Sequence, residues 1–275
     1  MALALPALVG LFVERLDQEP FGAHFRSTLG ARVGRFELVS QAAGRRLQPL
    51  VVQPAGAREG GDRRPLLLLL HGRGMPPEFF LSDGLFEGLR AAGDRAPVVA
   101  LLDGTPAAPW HDRRDGAWGR MVTGEAIAAV ARRLAVDTRR VAIGGISLGG
   151  FGALDLASVR PGRFCAAGGH SPALWPRAAA APRGLFDSPG DFARHDVLAR
   201  ARRSQRPFGA TRVWLDRGDA DPYRGATDRL ARTLRAGDTR LTVRRAPGGH
   251  DRDYWDRQVA RWVAFYTRAL AHCAT

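Results

Sequence analysis

The ten residues Val-Ala-Ile-Gly-Gly-Ile-Ser-Leu-Gly-Gly, 141–150, constrain this chain more than any other stretch. An apolar strand runs into a serine, Ser147, with glycine two positions to either side at Gly145 and Gly149. The small and apolar residues that follow, Phe151, Ala153, Leu154 and Ala157, suit a buried helix. Strand, glycine-flanked serine and helix in that order require a tight turn whose flanking positions carry no Cβ. Such a turn lifts a hydroxyl clear of the sheet, where it becomes a nucleophile if a base and backbone N–H donors lie beside it.

The rest of the chain supplies the sheet. From Arg35 onward strand-like and helix-like segments alternate, the pattern of a mostly parallel sheet covered by helices on both faces. Two edge strands are expected over 36–40 and 47–52, followed by a polar linker over 55–64. The five consecutive leucines 66–70 then read as a central strand buried on both sides. Further strands are expected at 97–102, 140–144, 164–168, 211–215 and 241–245. In a final helix Trp255, Val259, Trp262, Val263, Tyr266 and Leu270 share one face, with Arg257, Arg261 and Arg268 on the other. A length of 275 residues suits one α/β domain, expected over 35–275, with 1–34 as an N-terminal helical extension and 170–200 as a small cap region. In the extension Leu8, Leu11, Phe12 and Leu16 fall on one helical face, suited to packing on the body or on another copy in a homo-oligomer.

Charge and cysteine content narrow the function. The net charge of +14 comes entirely from arginine, because the chain has no lysine, so Schiff-base and lysine-nucleophile chemistry is excluded. The arginines are spread along the chain and interleaved with acids, as in Asp112-Arg113-Arg114-Asp115, so no nucleic-acid partner is expected. A polyanion-binding domain without catalysis rests on the charge alone. Cys165 and Cys273 are too few for a disulfide framework and read as free thiols in a reducing, cytoplasmic setting. The apolar start, 1–13, lacks a basic leading segment and runs into Glu14 and Arg15, so it reads as neither signal peptide nor membrane span. The 7 histidines are scattered, and neither a metal nor another cofactor is expected.

A serine nucleophile needs a base, and the base needs an orienting carboxylate. His250 follows Ala246-Pro247-Gly248-Gly249, a glycine-loosened turn ahead of the last helix, from which an imidazole can swing onto Ser147. The acid is expected on the preceding loop, where Asp216, Asp219 and Asp221 all qualify; Asp221, just before Pro222, has the most favourable placement. The oxyanion donors are expected to be the N–H of Leu148, next to the nucleophile, and the N–H of Arg73 in His71-Gly72-Arg73-Gly74 after the leucine strand. His71 itself reads as a turn-stabilising residue. Substrate walls are expected from Trp110, His111, His170, Trp175 and Tyr254, with Phe186 and Phe192 in the same excursion as Trp175.

Leu70-His71-Gly72, Gly145-Ile146-Ser147-Leu148-Gly149-Gly150, Gly218 to Asp221, and Gly249-His250 with Tyr254-Trp255 resemble the putative-esterase branch of the α/β-hydrolases, which includes esterase D, feruloyl esterases and mycolyltransferases. The resemblance runs from about Arg35 to Leu270. It implies the α/β-hydrolase fold and a metal-independent serine carboxylesterase acting on a small-molecule ester through an acyl-enzyme. Acyl transfer, thioester cleavage or cyclisation would use the same residues. Arg73-Gly74, Trp110-His111-Asp112 and Gly169-His170-Ser171 depart from that branch and bear on which substrate is taken.

Overall fold

The computed structural model describes residues 22–57, 63–104 and 108–273. The expected N-terminal helix with Leu8, Leu11, Phe12 and Leu16 lies outside the described residues, as does part of the 55–64 linker.

Eight strands form one sheet: β1 (Arg32–Arg35), β2 (Leu50–Gln53), β3 (Arg64–Leu70), β4 (Val98–Leu102), β5 (Val136–Ile146), β6 (Ala166–His170), β7 (Arg212–Gly218) and β8 (Leu241–Ala246). Their order is β1-β2-β4-β3-β5-β6-β7-β8. β2 runs antiparallel to both β1 and β4, and the strands from β4 through β8 are parallel. This is the expected α/β-hydrolase architecture. The helices that matter below are α1 (Asp83–Ala92), α2 (Leu148–Val159), α3 (Pro189–His195), α4 (Val197–Arg203), α5 (Arg224–Arg235) and α6 (Arg252–Ala271).

The leucine run shows why β3 is central. Side chains alternate across a strand, and here Leu66, Leu68 and Leu70 enter the core on one face while Leu67 and Leu69 enter the core on the other. A strand with two apolar faces is stable only where helices cover both. The parallel register then brings the carboxyl ends of β3, β5, β6, β7 and β8 to one edge, where open α/β sheets bind ligands.

Three expectations are corrected here. The opening edge strand is Arg32–Arg35, so the sheet starts ahead of residue 35. Leu38–Ser40 instead pairs with Arg45–Leu47 as a separate hairpin around Gly44, whose φ of 63° suits the turn. Cys165 and Cys273 are not free thiols but a disulfide, with Cα atoms 5.2 Å apart. Two cysteines make no framework, yet α6 returns along β6 and its end meets the residue just ahead of that strand.

The same return of α6 explains glycine in the middle of two buried strands. A Cβ on Gly144 of β5 would lie 1.9 Å from the Tyr266 hydroxyl, and one on Gly168 of β6 would lie 1.8 Å from it. Glycine at both positions lets α6 bring a tyrosine down onto the sheet.

The disulfide spans 108 residues of sequence. Replacing both cysteines with alanine is expected to cost about 2–4 kcal/mol of stability, because the unfolded chain regains the freedom that the closed loop removes. Urea melts with and without reductant measure this. The unreduced, denatured protein is expected to show no titratable thiol.

Candidate active site

Ser147 sits between β5 and α2 with φ 54° and ψ −113°, a conformation that residues with a side chain rarely adopt. The packing around it accounts for the flanking glycines. A Cβ on Gly149 would stand 1.9 Å from the Leu70 carbonyl oxygen, and one on Gly145 would stand 2.4 Å from the Gly149 backbone. The end of β6 holds the turn from the other side: Ser147 N–H donates to the His170 carbonyl at 2.9 Å, and the Ser147 carbonyl accepts from Ala173 N–H at 2.9 Å.

The loops after β7 and β8 bring the partners. Ala220 N–H donates to Gly248 O at 2.9 Å and Asp219 N–H to Ala246 O at 3.0 Å, so the two loops run together as one unit. Gly218 permits the contact, since a Cβ there would meet Gly248 O at 2.3 Å. Asp251 caps α6 by accepting from Tyr254 N–H at 2.9 Å, and its other oxygen accepts from Gly249 N–H at 3.1 Å, which fixes the turn carrying His250.

In that frame His250 Nε2 lies 2.8 Å from Ser147 Oγ and His250 Nδ1 lies 3.0 Å from Asp221 Oδ2. Asp221 is fully buried, and its other oxygen accepts from Tyr223 N–H at 2.7 Å. Of the three carboxylates left open by sequence, Asp221 is the one in contact with His250. Asp219 pairs with Arg217 at 3.1 Å and is mostly solvent-exposed. Asp216 faces the core, accepting from His170 Nδ1 at 2.7 Å, Trp214 Nε1 at 2.5 Å and Tyr254 Oη at 3.1 Å.

Beside Ser147 opens a cleft of about 120 Å³, lined among the described residues by Arg73 and Leu148, by Ala173, Trp175 and Tyr223, and by 182–185. Leu148 begins α2, so its N–H has no intrahelical acceptor and is available to a ligand. The loop carrying Arg73 is braced by His71, whose Nε2 accepts from Gly104 N–H at 3.1 Å. Burial holds the His71 imidazole below its ordinary pKa, in keeping with that acceptor role.

Of the residues expected to wall the substrate, Trp175 lines the cleft. The other four are buried in the protein body instead. Trp110 has φ 62°, donates to the His71 carbonyl at 3.1 Å, and packs where a Cβ on Gly152 would come within 2.3 Å of it. His170 stacks on Trp262 at 3.8 Å and its Nε2 meets Tyr266 Oη at 2.9 Å. Tyr254 turns inward to Asp216, and His111 lies under Phe186. A strand-end or loop position did not reveal which side of the sheet a ring takes. Tyr223, whose ring sits 5.2 Å from that of His250, was missed, although it stands two residues past Asp221.

Serine, imidazole and buried carboxylate in series, at the carboxyl edge of a parallel sheet, can transfer an acyl group. The family model described as putative esterase matches residues 40–272. The chain belongs to the putative-esterase family. Solved structures similar to this esterase include an S-formylglutathione hydrolase from Agrobacterium tumefaciens, with 19% identity, TM-score 0.76, and coverage of 89% of this chain and 98% of that one. A ferulic acid esterase matches at 20% identity and TM-score 0.77, covering 88% of this chain and 98% of its own. MPT51 (FbpC1) from Mycobacterium tuberculosis matches at 16% identity and TM-score 0.68, covering 86% and 98%. These identities establish a shared fold. Among curated proteins none matches by sequence.

Among the described residues the His170–Asp216 pair is fully buried and separate from the Ser147–His250–Asp221 chain. Asp216→Asn is expected to cost about 3–5 kcal/mol of stability, the range for breaking a buried pair. Turnover at a permissive temperature should change no more than a few-fold. Urea melts alongside initial rates separate the two effects.

Proposed function

We propose that Ser147, His250 and Asp221 form the catalytic triad of this esterase, with the N–H groups of Arg73 and Leu148 as its oxyanion hole. The observation that carries the proposal is the unbroken chain of contacts, 2.8 Å from Ser147 Oγ to His250 and 3.0 Å from His250 to Asp221. His250 Nδ1 faces a carboxylate, so it carries the ring proton, and Nε2 presents its lone pair to the serine hydroxyl. Ser147 Oγ attacks the ester carbonyl while Nε2 takes its proton. The Arg73 and Leu148 N–H groups then face the negative charge that develops on the carbonyl oxygen. His250 returns the proton to the leaving alcohol and takes one from water in the second half-reaction. An imidazolium accepts no proton, so turnover falls on acidification.

The cleft also supports a substrate preference. Arg73 and Arg183 are the charged residues among its described lining, and neither makes an ion pair with another described residue. Esters bearing a carboxylate near the scissile bond suit such a lining, and a net charge of +14 favours the encounter.

No helix among the described residues is long and apolar enough to cross a membrane. A cytoplasmic location rested on free thiols. With Cys165 and Cys273 joined, a compartment that sustains disulfides fits the chain better.

Ser147→Ala is expected to lower kcat by at least about three orders of magnitude and to abolish labelling by a fluorophosphonate probe, with unchanged melting. Asp221→Asn is expected to lower kcat by roughly four orders with little change in KM, since an amide favours the wrong imidazole tautomer. Near-wild-type kcat in Asp221→Asn would assign the acid elsewhere.

A carboxylated p-nitrophenyl ester is expected to exceed its neutral isostere by about 2- to 5-fold in kcat/KM, the range for one exposed ion pair. Arg183→Gln or high salt should erase the difference. Steady-state rates on the ester pair, with and without salt, measure it.

A further inference from the structure

Outside the cleft, three side chains scattered in sequence meet: His111 from the loop after β4, and Asp191 and His195 from α3. One ligand atom from each lies within 4.8 Å of those from the other two. His111 and Asp191 are fully buried, and His195 is 15% exposed.

The hydrogen bonds around the cluster fix which atoms face inward. His111 Nδ1 lies 3.1 Å from the Pro109 carbonyl, which can only accept, so the ring proton sits on Nδ1. His111 Nε2 is then a bare lone pair, buried and without a hydrogen-bond partner among the described residues. His195 Nδ1 lies 2.7 Å from Asp155 Oδ2, which likewise places a proton on Nδ1 and turns Nε2 toward Asp191. Arg200 in turn holds Asp155 at 3.0 Å. Asp191 meets His111 Nε2 at 3.5 Å through Oδ2 and His195 Nε2 at 3.7 Å through Oδ1. Asp191 Oδ1 also pairs with Arg194 at 2.9 Å and Oδ2 accepts from Asp187 N–H at 2.9 Å, yet neither donor satisfies His111 Nε2, whose buried lone pair faces the carboxylate and is repelled by it unless a cation sits between them.

We propose that His111 Nε2, His195 Nε2 and Asp191 bind a divalent transition-metal ion, zinc by the character of the donors. The separations suit it, because ligands at 2.0–2.1 Å in a tetrahedron stand about 3.4 Å apart. The outer contacts suit it equally: a carbonyl behind one imidazole and a carboxylate behind the other are what orient histidine ligands toward zinc. Water at the His195 side, the exposed side of the cluster, completes the four positions. The ion serves structure rather than acyl transfer, since Ser147 and His250 lie outside the cluster. It ties the β4 loop to α3 and, through Asp155, to α2. Phe186 stacks on His111 at 5.0 Å and packs edge-on against Trp175 at 6.0 Å, so the same ion steadies the wall of the cleft at 182–185.

The test uses the full-length, tag-free protein, stripped with a strong chelator and titrated with zinc chloride against a chromophoric competitor. One equivalent is expected to bind with micromolar or tighter Kd, and saturating zinc is expected to raise the melting temperature by about 5–10 °C. His195→Gln, which changes the partly exposed ligand, should weaken zinc binding at least about 100-fold. Asp155→Asn keeps all three ligands and should weaken it about 10- to 100-fold through the lost orientation of His195. No stoichiometric uptake, or uptake unchanged in both variants, overturns the proposal. Neither result touches the triad assignment, which fluorophosphonate labelling of the same samples reads separately.

Discussion

Everything at the carboxyl edge of the sheet is arranged around the backbone of Ser147, which carries a side chain at φ 54°. A residue held there costs on the order of 1–3 kcal/mol and persists only where its surroundings leave no alternative. The surroundings are the ends of two neighbouring strands. The Leu70 carbonyl of β3 approaches so closely that Gly149 cannot carry a Cβ, while the His170 carbonyl at the end of β6 and the Ala173 N–H just beyond it hold the serine backbone. The packing of two apolar faces on the leucine strand therefore supplies the free energy that keeps the hydroxyl raised. The sheet is rigid because it is buried, and the turn is strained because the sheet does not yield.

Apart from the Ser147–His250–Asp221 chain, a second polar layer is buried in the core. Asp216, His170, Tyr254, Tyr266 and Trp214 satisfy one another in the protein interior. His170 contributes twice, its ring to this layer and its carbonyl to Ser147. The layer and the Ser147–His250–Asp221 chain draw their carboxyls from one stretch of sequence, five residues apart. Strand direction sorts them: Asp216, inside β7, is committed to one face of the sheet, whereas Asp221, beyond Gly218, is free to rise to the edge.

The same distinction explains what was legible in the sequence. Ser147, His250 and the 218–221 loop announce themselves because they sit at transitions between periodic segments, where glycine marks the turn. The parallel sheet is equally plain from the two-faced leucine run and the strands that follow it. The inward turn of Trp110, His111, His170 and Tyr254 is not, because a ring at a strand end carries no local mark of the face it will take. Only partners distant in sequence decide that, as Trp262 does for His170 and Gly152 for Trp110. The disulfide and the His111–Asp191–His195 cluster were hidden for the same reason. Asp191 and His195 share a helix face at i, i+4, but His111 reaches them only once the β4 loop and α3 are packed.

The Cys165–Cys273 bond also sorts the chain topologically. It turns nearly the whole C-terminal part into a covalent ring that contains both Asp221 and His250, while Ser147 lies on the linear portion outside it. A protease cutting the exposed stretch near Arg183, within the ring, would break the main chain without releasing a fragment. Asp221 and His250 would stay tethered to the half of the molecule that carries Ser147, and the nicked form would travel as a single species until a reductant parted it.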